Sequence, residues 1–207
     1  MIAIVDYRAG NLTSVKLALD AVGAEAEITS DPEVVRAAPR VVFPGVGAAG
    51  ACMGALRELG LDSALRDVIA RGTPFLGVCM GMQLLLDHSE ENGGTETLGV
   101  LPGRVRRFRP ESRYEKIPQI GWNDVAIERP HPLLADVRSG TEMYFVHSYF
   151  CDVVDPSLVY GRTDYGGVAF VSAAGRENVF ATQFHPERSG RIGQQIYARF
   201  AEWDGKC

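Results

Sequence analysis

The chain has 207 residues, 46% hydrophobic and 23% charged, enough apolar material for one α/β core, read as a single domain over residues 1–207. A net charge of −5 with no Lys/Arg run argues against a nucleic-acid binder. Cys52, Cys79, Cys151 and Cys207 have neither CxxC nor metal-type spacing, and no apolar run approaches a membrane span, so a cytoplasmic protein with reduced thiols, no metal and no cofactor is expected.

Ile2–Val5 reads as a buried strand followed by a loop from Asp6 to Asn11. Leu12, Val15, Leu19 and Val22 recur at helical spacing, with Asn11 as a plausible N-cap and Gly23 as the stop. A strand Glu25–Ile28 and a helix 32–38 with Pro32 in its first turn come next, then a third strand Arg40–Phe43. Pro44-Gly45-Val46-Gly47-Ala48-Ala49-Gly50 opens a helical region reaching Arg71. This loop has the wrong glycine spacing for a dinucleotide fingerprint and lacks the Lys-Ser/Thr of a P-loop. A tight βα turn is one reading of it, and a source of backbone N–H donors is another.

Thr73–Val78 is a short apolar run expected to form a buried parallel strand, and it switches to helical spacing after Cys79. From Leu98 the texture changes. Strands are expected at Arg104–Arg109, Lys116–Ile120, Val125–Ile127, Glu142–Phe150, Leu158–Thr163, Val168–Ala174 and Val179–Phe184. Ile192, Ile196, Phe200 and Trp203 mark a closing amphipathic helix. The expected fold is α/β, a central mixed, mostly parallel sheet flanked by helices, with active residues at the carboxyl ends of strands.

Gly77-Val78-Cys79-Met80-Gly81 has the G-x-nucleophile-x-G pattern of a nucleophile elbow, with a thiol at the nucleophile position. A strand turning straight into a helix strains its corner residue and projects that side chain above the sheet edge. The helix N-terminus beneath it favours a thiolate and an oxyanion. A buried structural cysteine is the plain alternative. What favours catalysis is His185-Pro186-Glu187 at the end of another strand, because a thiol nucleophile needs a base and the base an orienting carboxylate.

Gly77–Gln83 and His185-Pro186-Glu187 together resemble the class I (triad) glutamine amidotransferases. Asp6-Tyr7, Gly10-Asn11-Leu12, Pro44–Gly47, Gly121-Trp122-Asn123 and Tyr144–Tyr149 carry the resemblance over nearly the whole chain, towards members serving a separate cyclase subunit. The resemblance implies a glutaminase: Cys79 forms a γ-glutamyl thioester, His185 moves the protons and Glu187 orients the imidazole. It implies an oxyanion hole from Met80 and from Val46 or Gly47, and glutamine held by Gly45, Gln83, Glu91 and the backbone of Ser148 and Tyr149. It also implies a β/α-barrel cyclase partner that takes up the ammonia, docked on a face containing Asn11, Trp122 and Asn123. Without the resemblance, Gln83 reads as a locally bonded helix residue, Glu91 as an acidic loop residue and Trp122 as a core aromatic. Arg8 stands where the family usually has glycine, Gln119 where histidine is common, and Ala49 and Ala51 where Phe and Asp are common. A glutaminase for another synthase, such as that of pyridoxal phosphate synthesis, a cysteine peptidase or thioesterase, and a non-catalytic interaction module are the competing readings.

Overall fold

The computed structural model describes residues 1–110 and 115–206, so Cys207 lies outside the described residues. The first half alternates strand and helix: β1 (Ile2–Val5), α1 (Leu12–Ala21), β2 (Ala26–Thr29), α2 (Pro32–Ala37), β3 (Val41–Gly45), α3 (Ala49–Glu58), α4 (Leu61–Ala70), β4 (Phe75–Cys79) and α5 (Met80–Leu84). The second half is mostly strand: β5 (His88–Ser89), β6 (Thr95–Glu96), β7 (Gly103–Arg107), β8 (Gln119–Ile127), β9 (Thr141–His147) and β10 (Tyr149–Val153). Then follow β11 (Val159–Tyr165), β12 (Val168–Arg176), β13 (Val179–Thr182) and a last helix, α6 (Gly190–Glu202).

The sheet runs β2-β1-β3-β4-β13-β12-β10-β7-β5-β6, with β11 branching from β12 and leading through β8 to β9. The five strands from β2 to β13 are parallel; β12, β10 and β7 continue the sheet by antiparallel pairing. The inner strands of the parallel part are buried on both faces and therefore read as unbroken apolar runs, as in Ile2–Val5 and Phe75–Cys79, whereas the edge strand β2 is half exposed. Alternate residues supply two cores. Val41, Phe43 and Phe75 pack with Leu56, Leu65 and Val68 from α3 and α4, whereas Val42, Leu76 and Val78 pack with Leu19, Ile196 and Phe200 from α1 and α6.

Four expectations are corrected. The helical region before Arg71 is two helices, broken at Leu59-Gly60. Lys116–Ile120 and Val125–Ile127 belong to one strand, β8, which begins at Gln119, while Glu142–Phe150 is two strands divided at Ser148. The division marks a change of partner, since β9 pairs with β8 and β10 with β7 and β12. The helix after Cys79 is a single short turn and a half. Its would-be continuation is captured by the following loop: the Leu98 N–H donates to the Leu84 carbonyl at 2.8 Å, Val100 to Leu85 at 2.8 Å and Gly99 to Leu86 at 2.8 Å. Those carbonyls are no longer available to a lengthening helix.

Candidate active site

Register places the site. β3 pairs with β4 so that Gly45 lies opposite Cys79, and β13 pairs with β4 so that Thr182 lies opposite Val78. The three strands end together, which brings the Gly45–Gly47 loop, Cys79 and the segment Gln183–His185 to one edge.

Cys79 is the corner between β4 and α5, with φ 54° and ψ −105°, and is 5% exposed. A left-handed φ on a non-glycine residue is strain that the surroundings must hold. They hold it by close packing: a Cβ on Gly81 would meet the Phe43 carbonyl oxygen at 1.7 Å, and one on Gly45 would meet the Tyr7 hydroxyl at 1.6 Å. Gly81 is thus needed for the approach of α5 to β3, and Gly45 for the approach of β3 to Tyr7.

His185 is fixed at its backbone by its N–H to the Tyr144 carbonyl at 2.9 Å and by the Ser189 hydroxyl, which donates to its carbonyl at 2.8 Å. Its Nδ1 lies 2.7 Å from Glu187 Oε1, and the Tyr197 hydroxyl donates to Glu187 Oε2 at 3.4 Å. Burial alone would push the His185 ring down. The charge and hydrogen bond of Cys79, followed by Glu187, outweigh it and raise the ring to about 11. Apart from Cys79, Nε2 has no partner among the described residues.

A cavity of about 220 Å³ opens in front of the corner, lined by Cys79 and by the expected residues Val46, Gly47, Met80, Gln83, Glu91, Ser148 and Tyr149. Gly45 lies behind this lining, at the end of β3. Several expected groups already have partners. Glu91 Oε2 accepts from the Ala49 N–H at 2.6 Å, at the start of α3. Both amide hydrogens of Gln83 are engaged, by the Tyr149 carbonyl at 2.9 Å and by Gln183 Oε1 at 3.1 Å. The Ser148 carbonyl accepts from Phe108 N–H at 3.1 Å, and the Val46 carbonyl accepts from the Cys52 thiol at 3.7 Å.

The sequence reading missed five residues here, of which Val146 is an apolar part of the cavity wall. Pro118 and His147 also line the cavity. Burial pushes His147 down to about 4, with a partly opposing hydrogen bond to Tyr149, so the ring is neutral and donates from Nδ1 to the Tyr149 carbonyl at 2.7 Å. Tyr197 stands behind Glu187, and Gln183 stands behind Cys79, with its Nε2 3.6 Å from Sγ. Alternation from His185 along an extended strand end was the one signal that could have found Gln183.

On the neighbouring face Trp122 is 53% exposed and packs edge-on against Tyr144, so it is not a core aromatic. Asn11 is exposed at the N-cap position of α1, but its side chain makes no capping bond. The Asn123 amide is tied to the Asp164 carbonyl at 2.9 Å. Arg8 has φ 65°, a conformation that favours the glycine usual at this position, and it reaches Glu58 at 2.9 Å.

A strained buried cysteine beside a histidine–carboxylate pair is accompanied by an extended sequence match. The profile of the family "Glutamine amidotransferase class-I" matches residues 3–202. The chain belongs to that family. It is 50% identical over 206 residues to the imidazole glycerol phosphate synthase subunit HisH of Chloroflexus aurantiacus, covering 98% of this chain and 96% of that one. The Pseudomonas putida protein of the same name is 47% identical over 210 residues, covering 99% and 98%. Among solved structures, a glutamine amidotransferase superposes with a TM-score of 0.76 at 20% identity, over 99% of this chain and 100% of the other. PurLQS from Thermotoga maritima gives 0.76 at 19%, over 97% of each. At such identities these two likenesses support the amidotransferase fold alone.

Proposed function

We infer that this chain is the glutaminase subunit of an imidazole glycerol phosphate synthase. It hydrolyses glutamine and delivers the ammonia to a separate cyclase subunit, a β/α barrel, which makes imidazole glycerol phosphate and aminoimidazole carboxamide ribotide in histidine biosynthesis. The observation that carries the chemistry is Cys79, strained and buried at a cavity edge, with His185 and Glu187 held 2.7 Å apart behind it. High identity to HisH proteins over nearly the full length of both chains supports the choice of synthase.

In this reading the proton already rests on His185 Nε2, as the raised ring requires at neutral pH, and the Cys79 thiolate attacks the side-chain amide carbon of glutamine. Charge on the tetrahedral oxygen is met by the Met80 N–H and by an N–H from Val46 or Gly47. As the C–N bond breaks, His185 returns the proton to the leaving nitrogen. Ammonia departs and a thioester remains, which water hydrolyses to glutamate with His185 as base. Glu187 keeps Nδ1 protonated, leaving Nε2 to do this work. Gln83, Glu91, Ser148 and Tyr149 bound the glutamine through the cavity they line, and Asn11, Trp122 and Asn123 lie on the docking face. The reading places the enzyme in the cytoplasm; among the described residues no helix is long and apolar enough to cross a membrane.

The test is Cys79→Ala in the complex with the cyclase. Synthesis from glutamine should vanish, while an ammonium salt should still support synthesis, because the ring-forming chemistry lies on the other chain. Retained glutamine-dependent turnover would refute the nucleophile.

A further inference from the structure

Gln183 has no exposed surface and lies outside the cavity lining. A fully buried primary amide needs its hydrogen bonds satisfied, and here the partners are specific. Its Oε1 accepts from Gln83 Nε2 at 3.1 Å and from the Cys151 thiol at 3.8 Å. Its Nε2 lies 3.6 Å from Cys79 Sγ, within reach of a hydrogen bond to sulfur.

The direction of this chain is set at its far end. The Tyr149 carbonyl can only accept, so Gln83 must present its NH2 to it, and the second hydrogen of that NH2 falls to Gln183 Oε1. Cys151 adds a second donor to the same oxygen. Complete burial, and then the charges of Cys79 and Asp152, push its thiol far above the ordinary range, so it keeps its proton. With Oε1 occupied by two donors, the Gln183 amide has one orientation, and its N–H group faces the sulfur. Gln183 and His185 are two residues apart just beyond the end of β13, and both reach Cys79, one presenting a donor and the other a base.

We propose that Gln183 is a positioning residue for the nucleophile: its amide N–H, oriented by Gln83 and Cys151, donates to Cys79 Sγ and stabilises the thiolate that pairs with protonated His185. The pair adds no reactant. The proton from Sγ rests on Nε2, and the N–H···S contact is stronger for an anionic sulfur. Gln83, at the cavity wall, thereby links the substrate pocket to the nucleophile through one amide.

The inference rests on Cys79 being the nucleophile, and the experiment separates the two. Alkylation of Cys79 by iodoacetamide is followed by mass spectrometry across pH 5–10 in the full chain, wild type and Gln183→Met, and glutamine hydrolysis is measured in the complex with the cyclase. Hydrogen bonds to charged groups are strong enough that losing this donor should move the alkylation profile up by about one pH unit. That is roughly tenfold slower alkylation at a pH below the inflection. kcat should fall in parallel at neutral pH and recover towards high pH, with KM little changed. Gln183→Glu keeps the size and can still accept from Gln83, and its carboxylate repels a thiolate, so its profile should move further in the same direction. It serves where the apolar variant does not fold. A folded variant, judged by its melting curve, with an unmoved profile overturns the positioning role while leaving the nucleophile intact. If Cys79→Ala still hydrolyses glutamine, the nucleophile falls, and this inference with it.

Discussion

At the residue scale the decisive groups have unequal tasks, and the structure predicts unequal losses. In the proposed mechanism His185 carries the proton in every step, whereas Glu187 acts through it by fixing Nδ1 from 2.7 Å. Glu187→Gln replaces an acceptor by an amide that can also donate, which permits the wrong tautomer without removing the base. His185→Asn should therefore abolish measurable glutamine hydrolysis, while Glu187→Gln should retain activity on the order of a hundred times higher than His185→Asn. Steady-state rates of the two variants in the complex check this, and equal losses would mean that Glu187 does more than orient. Tyr197→Phe removes only the longer 3.4 Å hydrogen bond to Glu187 and should fall well above both.

At the element scale the site depends on strand ends in register, and the core behind the sheet on short turns that keep their caps. One such turn is the 3-10 segment Pro132–Leu134, capped by His131, whose Nδ1 accepts from the Leu133 N–H at 3.1 Å and whose ring stacks on Phe180 at 4.1 Å. Burial pushes His131 down to about 4. The unfolded chain takes up this proton near the ordinary histidine value of about 6.5, and the folded chain resists it. The folded state is therefore favoured fully above that pH and loses about 3 kcal/mol as pH falls from about 6.5 to 4. His131→Asn keeps a capping oxygen and removes the titration. It should be less stable than wild type at pH 8, where stacking on Phe180 is lost, and show a shallower decline between pH 6.5 and 4. Urea unfolding midpoints measured across that range decide it; parallel curves for the two proteins would contradict the assignment.

At the scale of the molecule, the carboxyl edge of the parallel strands holds the cavity, and an exposed apolar strip lies beside it. Ile120 and Trp122 project from the same side of β8 with 63% and 53% of their surface exposed, and Trp122 packs on Tyr144, whose carbonyl holds the His185 backbone. Large apolar side chains left open in a cluster mark a contact surface. If this strip meets the cyclase, Trp122→Ala should weaken the complex by about 2 kcal/mol, roughly thirtyfold in Kd, in the manner of an aromatic anchor. The melting temperature of the free chain should barely move, since the side chain is already open to water. Titration calorimetry with the cyclase tests it; an unchanged Kd would place the docking face elsewhere.

The parallel half was legible in the sequence because strands buried on both faces read as apolar runs, and helices over them recur at 3.6-residue spacing. The elbow was legible too, since Gly77 and Gly81 flank Cys79 at a spacing that only a tight strand-to-helix corner requires, and His185-Pro186-Glu187 is local enough to be read as a unit. Four findings needed the tertiary structure. The helix after Cys79 stops at Leu84 because the loop 97–101 folds back and takes its carbonyls. Glu142–Phe150 divides at Ser148 because its two parts pair with different strands, which no pattern along one strand encodes. Glu91 reaches the Ala49 N–H across 42 positions, and Gln183 meets Cys79 across 104 and Gln83 across 100. Local spacing determines which way a side chain faces on its own element. The partner it finds there depends on strand order and register, and these are set by burying both faces of the sheet at once.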